Sequence, residues 1–172
     1  WRAVVGGELP VLELQTDHPR PAVLTTNGGS VDVKVDGGIA AGLSALCKES
    51  GMTLMRGALA AWGVALLKHS GQAEVVVGVP YANREHPATH DVVGYFVNML
   101  SVKVVVGGSS SFRDTMGGAD RAMNESLAHA VVPFMKVVEA VGAAHDASRT
   151  PIFQTSMGWN EVRGFGDGGS GR

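Results

Sequence analysis

The sequence predicts an α/β fold in which helices pack against a β-sheet. Residues 31–35, 74–79 and 96–106 carry either alternating apolar and polar residues or short apolar runs, both of which are typical of strands. Elsewhere apolar residues recur at steps of three and four, as they do in amphipathic helices. With 45% hydrophobic and 17% charged residues among 172, the chain has enough apolar material to form one buried core.

The composition also limits the classes of partner and compartment. A formal net charge of −2 and a pI near 6.3 leave no excess of Lys and Arg to neutralise phosphates, so nucleic acid is not an expected partner. The longest strongly apolar stretch, residues 58–67, is about half of the roughly 20 residues that a bilayer span requires, and no membrane helix is predicted. Cys47 is the single cysteine and is expected in the core. Because it cannot form an internal disulfide, nothing requires an oxidising compartment, and a cytoplasmic setting is expected.

The first part of the chain is expected to be extended before two helices begin. Prolines and the turn-forming residues 25–30 predict a surface segment, because they interrupt both helices and strand ladders. Residues 31–35 alternate valine with charged residues and predict a strand with one dry face. Residues 38–50 predict a short amphipathic helix, and residues 53–70 predict a second, longer one.

Two strands are expected next, joined by a polar loop. Residues 74–79 form a nearly continuous apolar run between a glycine and a proline, which predicts a strand in the middle of the sheet. The loop covers residues 81–91. Residues 96–106 predict a long strand in which Asn98 is the polar exception on an otherwise apolar face.

The remaining elements are two helices and a final strand. Residues 111–129 have helical spacing, although Gly117 and Gly118 in the interior predict a bend, because each glycine costs roughly 1 kcal/mol relative to alanine. Pro133 is suited to open a further short helix. Residues 152–159 predict the last strand.

No active site can be identified from residue patterns alone. The sequence contains no Gly-x-Ser-x-Gly elbow and no Gly-Lys-Ser/Thr phosphate loop, so nucleophilic hydrolysis and nucleotide chemistry are unsupported. His86 and His90 are four apart, but Pro87 between them disrupts the helix that a shared metal would need, which favours two solvated loop histidines. His129 and His145 are each interpreted as structural.

Five motifs along the chain, taken in order, resemble those of the condensation domains of nonribosomal peptide synthetases. The likeness extends from Trp1 to about Gln154. The matching segments are residues 12–21, similar to LELPTDRPRP; Gly78, Pro80, Ala82, Asn83 and Arg84 at the end of a strand; residues 93–100, similar to IGxFVNTL; residues 129–134, similar to HxDVPFE; and residues 145–154, similar to RDxSRxPLFQ. Val131 and Met135 replace acidic residues of the fourth motif.

The resemblance implies a fold similar to that of chloramphenicol acetyltransferase, with two α/β lobes around a tunnel. This chain would be the C-terminal lobe, with a mixed sheet packed by helices over residues 1–163. Residues 164–172 are rich in glycine and are expected to form a flexible tail. The catalytic HHxxxDG motif of the family belongs to the other lobe, and this sequence has no His-His pair, so no catalytic residue is expected here.

By resemblance, Gly94, Phe96 and Asn98 would line or brace the substrate tunnel. Asn98 is equally open to a purely structural role. The other motif residues, expected to act mainly in packing, are His129, Pro133, Phe134, Ser148, Arg149 and Gln154. A contact of Arg149 with substrate or with a carrier phosphate is the alternative.

The family reaction implies partners but no cofactor held by this chain. Substrates would be carried on the phosphopantetheine arms of carrier (thiolation) domains, and no metal is expected. The expected partners are the missing N-terminal lobe of the same domain, the carrier domains and an adenylation domain. Two alternatives remain open: a non-catalytic docking or scaffold relative, and an epimerisation domain of the same superfamily.

Overall fold

The computed structural model describes residues 1–7, 9–143 and 146–160, which form helices around a small sheet. His145 and the predicted tail at 164–172 lie outside these residues. The elements, in chain order, are α1 (Arg2–Val5), α2 (Gly37–Glu49), α3 (Leu54–Ser70), β1 (Glu74–Tyr81), a 3₁₀ turn (Pro87–Thr89), β2 (Asn98–Val105), α4 (Phe112–Ala128), α5 (Phe134–Val141) and β3 (Thr155–Ser156).

The sheet has the order β2–β1–β3 and is mixed. β1 and β2 are antiparallel, with Gly78 opposite Ser101 and Tyr81 opposite Asn98. β3 lies on the other side of β1 and is parallel to it, with Val77 opposite Thr155. The predicted mixed sheet and the central position of residues 74–79 are therefore confirmed.

Both faces of the sheet are covered, which explains why β1 reads as a continuous apolar run. One face packs on α3 and α4 through the buried residues Val75, Val77, Val79, Leu100, Val102, Val104, Leu59, Leu66, Met116 and Met123. The other face packs on α1, α5 and the segment before β3 through Val5, Val76, Val137, Ile152 and Phe153. The second cluster includes Phe134, Ile152 and Phe153, which belong to two of the family motifs.

Local sequence signals fix several helix ends and contacts. The Asp36 carboxylate accepts hydrogen bonds from the first amides of α2, and Ser111 and Asp114 form a reciprocal capping box at the start of α4. α3 ends at Gly71, whose φ of 72° suits glycine. Within α3, Gly63 lets the helix approach the sheet, since a Cβ there would lie 2.6 Å from Cγ1 of Val104.

The strand predicted at residues 31–35 is wrong. Val31, Val33 and Val35 are 87%, 80% and 59% exposed in an extended segment that no described strand pairs. The alternation of apolar and polar residues is typical of a strand with one buried face. A strand also needs a neighbouring strand whose backbone groups form hydrogen bonds with its own N–H and C=O groups. None of the three strands of this sheet reaches the segment.

Other differences are smaller. The strand predicted from residue 96 begins at Asn98, and only Thr155–Ser156 of the segment 152–159 forms strand. α4 is one continuous helix through Gly117 and Gly118, despite the cost of the two glycines in helix propensity; the bend expected there stays a prediction. Among the described residues no single helix is long and apolar enough to cross a membrane; α2 and α3 together are, but a bend of 113° separates them.

Candidate functional site

Asn98 joins the start of β2 to the turn between α4 and α5. Its Nδ2 donates to the carbonyl oxygens of Ala130 and Val132, both at 2.8 Å. Its Oδ1 accepts from the amides of Phe134 and Met99, both at 3.0 Å. An asparagine amide offers two donors and two acceptor lone pairs. All four are used here within the protein.

This arrangement explains how α5 begins without a capping side chain. Its N-cap is Pro133, which has no side-chain hydrogen bond to offer, and the first amides of a helix lack partners within the helix. Asn98 supplies the missing acceptor to Phe134 from a different element. At the other end of the same turn, the His129 carbonyl accepts from Trp1 Nε1 at 3.1 Å.

An aromatic contact links this turn to the last motif. The rings of Phe134 and Phe153 lie with centroids 5.2 Å apart at 45°. Phe153 reaches the sheet because position 78 is glycine: a Cβ on Gly78 would lie 2.6 Å from Cζ of Phe153. Glycine inside a strand often marks such a close approach.

The segment before β3 is held in an unusual backbone conformation. Ile152 has a φ of 68°, which is rare for a β-branched residue, and the Phe153 amide donates to Pro151 O at 2.8 Å. Gln154 secures the segment from both sides: its Oε1 accepts from the Leu12 amide at 2.8 Å and its Nε2 donates to Thr150 O at 3.2 Å. The turn delays the start of β3 until Thr155 and directs Ile152 and Phe153 into the core.

Ser148 and Arg149 are joined through Asp146. The Asp146 Oδ1 accepts from the Ser148 amide at 2.8 Å and from its hydroxyl at 2.6 Å, while Arg149 Nε lies 2.9 Å from Oδ2. The Ser148 side chain, the Ser148 amide and the nearby Arg149 and Arg20 charges hold the pKa of Asp146 below its usual value. These contacts form a compact turn that also accepts the Leu24 amide at Ala147 O.

Gly94 and Phe96 are held by Arg84, in the loop that leads into β2. Arg84 Nη2 donates to Gly94 O at 3.1 Å, and the guanidinium carbon lies 4.3 Å from the centroid of the Phe96 ring. Gly94 is exposed and Phe96 is half-buried. Beside this loop the Tyr81 hydroxyl donates to the Glu85 carboxylate, which raises the pKa of Tyr81.

The loop histidines are engaged with backbone groups. His86 Nδ1 accepts from the Ala88 amide at 3.2 Å, and His90 Nε2 lies 3.0 Å from Arg84 O. Within the described ranges no group of three His, Cys, Asp or Glu side chains could hold a metal ion. Cys47 is buried, with its sulfur against Gly57.

The predicted residues therefore fall into three sets, one of which is Ser148 and Arg149, joined through Asp146. In another, Asn98 accepts from the amide of Phe134, next to Pro133, and the Phe134 ring contacts Phe153, which precedes Gln154. Gly94 and Phe96 belong to the adjoining loop. The sequence predicts no role for Gly78, Ile152 or Arg84, although all three stand in the matched motifs. A glycine within an apolar strand run is the one local signal among them.

A family model described as Condensation domain matches residues 1–163. Malpinin synthetase of Mortierella alpina is 36% identical over 159 residues, which is 92% of this chain and 2% of the synthetase. Surfactin synthase subunit 1 of Bacillus subtilis (strain 168) is 36% identical over 155 residues, 90% of this chain and 4% of that protein. The chain thus spans a small part of the curated relatives that it matches.

Solved structures share the fold. The crystal structure of a four-domain nonribosomal peptide synthetase bound to AMP and glycine superposes with a TM-score of 0.85 at 28% identity, covering 94% of this chain and 12% of the other. The X-domain from teicoplanin biosynthesis superposes with a TM-score of 0.84 at 24% identity, covering 91% of this chain and 35% of that domain.

Proposed function

Since the chain belongs to the condensation-domain family of nonribosomal peptide synthetases, we propose that it is the C-terminal lobe of a domain that joins carrier-bound aminoacyl or peptidyl thioesters. The amine on one phosphopantetheine arm attacks the thioester carbonyl on another. A C–N bond forms, the C–S bond breaks, and the proton lost by the amine balances the one gained by the released thiol. The match over residues 1–163 carries this proposal.

In this proposal the chain contributes shape and position, while the proton-handling histidine belongs to the other lobe. No His-His pair is present in the 172 residues. Holding two tethered reactants at near-attack distance can itself supply several kcal/mol of the barrier reduction. The residues described above would therefore act by fixing one wall of the tunnel.

Asn98 would brace that wall and would not bind substrate. Its four hydrogen-bonding positions are occupied by Ala130, Val132, Phe134 and Met99, so contact with substrate would require one of these bonds to break. Gly94 and Phe96 precede it in the chain and are the candidates for contact. Arg149 is paired with Asp146, which supports a role in holding the turn over a role in binding a carrier phosphate.

The test is a condensation assay with the complete protein that contains this chain. Donor and acceptor carrier domains are loaded with aminoacyl phosphopantetheine, and the carriers are analysed by mass spectrometry. We expect a dipeptidyl group on the acceptor and a free thiol on the donor. Absence of the dipeptidyl species with correctly loaded carriers would rule out the amide-forming activity.

A non-catalytic docking role is the second candidate, favoured by two exposed apolar side chains. Val131 is 77% exposed and Met135 63% exposed, and both stand where the family motif has acidic residues. A docking relative would bind a carrier domain without forming product.

An epimerisation domain is the third possibility. It would invert the stereochemistry of the carrier-bound residue without forming an amide, which chiral analysis of the released amino acid detects.

A further inference from the structure

In the loop between β1 and β2, one side chain, that of Arg84, bonds to three backbone carbonyls. No residue from 82 to 97 is buried, so the loop has no hydrophobic anchor of its own. Asn83 adopts a φ of 54° just after β1, a conformation that asparagine tolerates better than most residues. Arg84 follows it and is half-buried beneath the rest of the loop.

Arg84 gathers three carbonyl groups and one ring. Its Nη1 donates to Val92 O at 2.8 Å and also to Thr89 O, and its Nη2 donates to Gly94 O at 3.1 Å. The guanidinium lies over Phe96. The planar fork of an arginine can make these contacts together, whereas the ammonium group of a lysine is a point charge that cannot reproduce them.

We propose that Arg84 is the positioning residue of the tunnel wall: it fixes Gly94 and Phe96 relative to Asn98. This inference rests on the proposed function and deepens it. The partners of the Arg84 guanidinium all lie between residues 89 and 96, and Arg84 belongs to neither hydrophobic cluster. Its loss would therefore loosen the loop while leaving the two cores intact.

The contacts of Arg84 also leave two apolar side chains of the loop exposed. Val93 is 101% exposed and Tyr95 87% exposed, while the backbone carbonyls between and beside them point towards Arg84. A loop that packed its apolar side chains against the protein would instead bury Val93 and Tyr95 and leave these carbonyl groups to the solvent. Arg84 keeps these side chains exposed on either side of Gly94 in the proposed wall.

The experiment compares Arg84→Lys with Arg113→Lys in the complete protein. Arg113 is a matched control because it donates to Glu49 at 2.6 Å on the exposed surface of α4, away from the loop. For each variant, hydrogen exchange of the backbone amides is measured by mass spectrometry, and kcat and KM are measured in the condensation assay with a carrier-bound donor.

For Arg84→Lys we expect kcat to fall about tenfold and KM to stay within twofold of the wild-type value. The substitution would displace the wall beside the reacting groups, which lowers kcat, but would leave the surface that binds the carrier domain unchanged, which preserves KM. Amide exchange should become at least tenfold faster only within residues 85–97. The control should match the wild type in both measurements. Arg84→Lys with kcat within twofold of wild type, or with faster exchange across the two cores, would overturn the proposal.

The two proposals fail in different ways. If the wild-type protein forms no amide product, the proposed reaction fails, and the exchange measurement alone then judges whether Arg84 fixes residues 85–97. If the wild type is active and the lysine variant equals it, the reaction stands and the positioning role fails.

Discussion

Asn98 connects three parts of the chain that are distant in sequence. It lies at the start of β2, donates to two carbonyls after α4 and caps the first amide of α5. A half-buried amide with no unused hydrogen-bonding group is a costly residue to replace, because each partner loses its own bond. Substitution should therefore reduce stability more than the loss of a surface asparagine.

We predict that Asn98→Ala lowers the free energy of unfolding by about 2–4 kcal/mol, because the carbonyls of Ala130 and Val132 and the amide of Phe134 lose their partner. Asn124→Ala is the matched control: Asn124 is exposed on α4 and, among the described residues, its side chain bonds to Asp120 alone, so its replacement should change stability by less than about 0.5 kcal/mol. Urea unfolding of the complete domain measures both. Equal effects of the two substitutions would contradict the bracing role.

Asp146 gives a prediction that depends on pH. The hydrogen bond from the Ser148 hydroxyl is the largest cause that lowers the folded-state pKa of Asp146 from 3.8. The ionised carboxylate therefore stabilises the folded state at pH values above its unfolded pKa. This stabilisation is lost as the pH falls below about 4 and through the folded-state pKa. Ser148→Ala should raise the pKa of Asp146 towards 3.8, whereas Ser148→Thr, which keeps a hydroxyl, should leave it low. An NMR titration that follows the Asp146 carboxyl carbon measures this pKa in the wild type and in both variants. An unchanged pKa in the alanine variant would contradict this account.

The sequence marks Asn98 as unusual but does not reveal what it does. A polar residue on an apolar strand face is visible in the pattern, while its partners lie 32 to 36 positions along the chain and are brought to it by packing. Arg84 illustrates the same limit, since its three carbonyl partners have no side-chain signature. Gly94 and Phe96 come from the family resemblance, and their place at a tunnel remains a prediction.

Among the elements, the strands show best what periodicity can and cannot predict. β1 is predicted correctly because burial on both faces leaves an unbroken apolar run. Residues 31–35 have a better alternating pattern and yet form no strand, because pairing depends on a partner that the segment itself does not encode. The turn at Ile152 shortens β3. This residue has a positive φ, which the conformational preferences of a β-branched residue do not predict.

The contact between β1 and Phe153 yields an element-level prediction. Gly78→Ala should lower the free energy of unfolding by about 1–3 kcal/mol, because the added Cβ overlaps the Phe153 ring. Combining it with Phe153→Leu should recover part of the loss, so the two substitutions should be non-additive. Urea unfolding of the single and double variants measures the coupling.

The control for this prediction is a glycine in open space. Gly118 lies within α4, and a Cβ there would meet nothing within 4 Å. Gly118→Ala should therefore raise the free energy of unfolding by up to about 1 kcal/mol through helix propensity. If Gly78→Ala is as well tolerated as Gly118→Ala, the close approach of Phe153 is not the reason for glycine at position 78.

For the whole molecule, the exposed apolar residues support the proposal that another lobe of the domain packs against this one. Large exposed side chains occur in the extended segment, in the loop before β2 and around α5, namely Val31, Val33, Val35, Val93, Tyr95, Val131 and Met135. Exposed apolar patches on a protein surface commonly mark sites of interaction. We predict that residues 1–172 produced alone bind a hydrophobic dye such as ANS and aggregate at micromolar concentration. A sharp urea transition without dye binding would contradict this.

The condensation assay tests the central claim most directly. The complete protein that contains this chain is incubated with donor and acceptor carriers loaded with different amino acids, and the acceptor carrier is analysed by mass spectrometry. The account predicts a dipeptidyl-phosphopantetheine on the acceptor in stoichiometric exchange for a free donor thiol. Loaded carriers that bind the protein but remain aminoacylated would contradict the amide-forming function and favour the docking role.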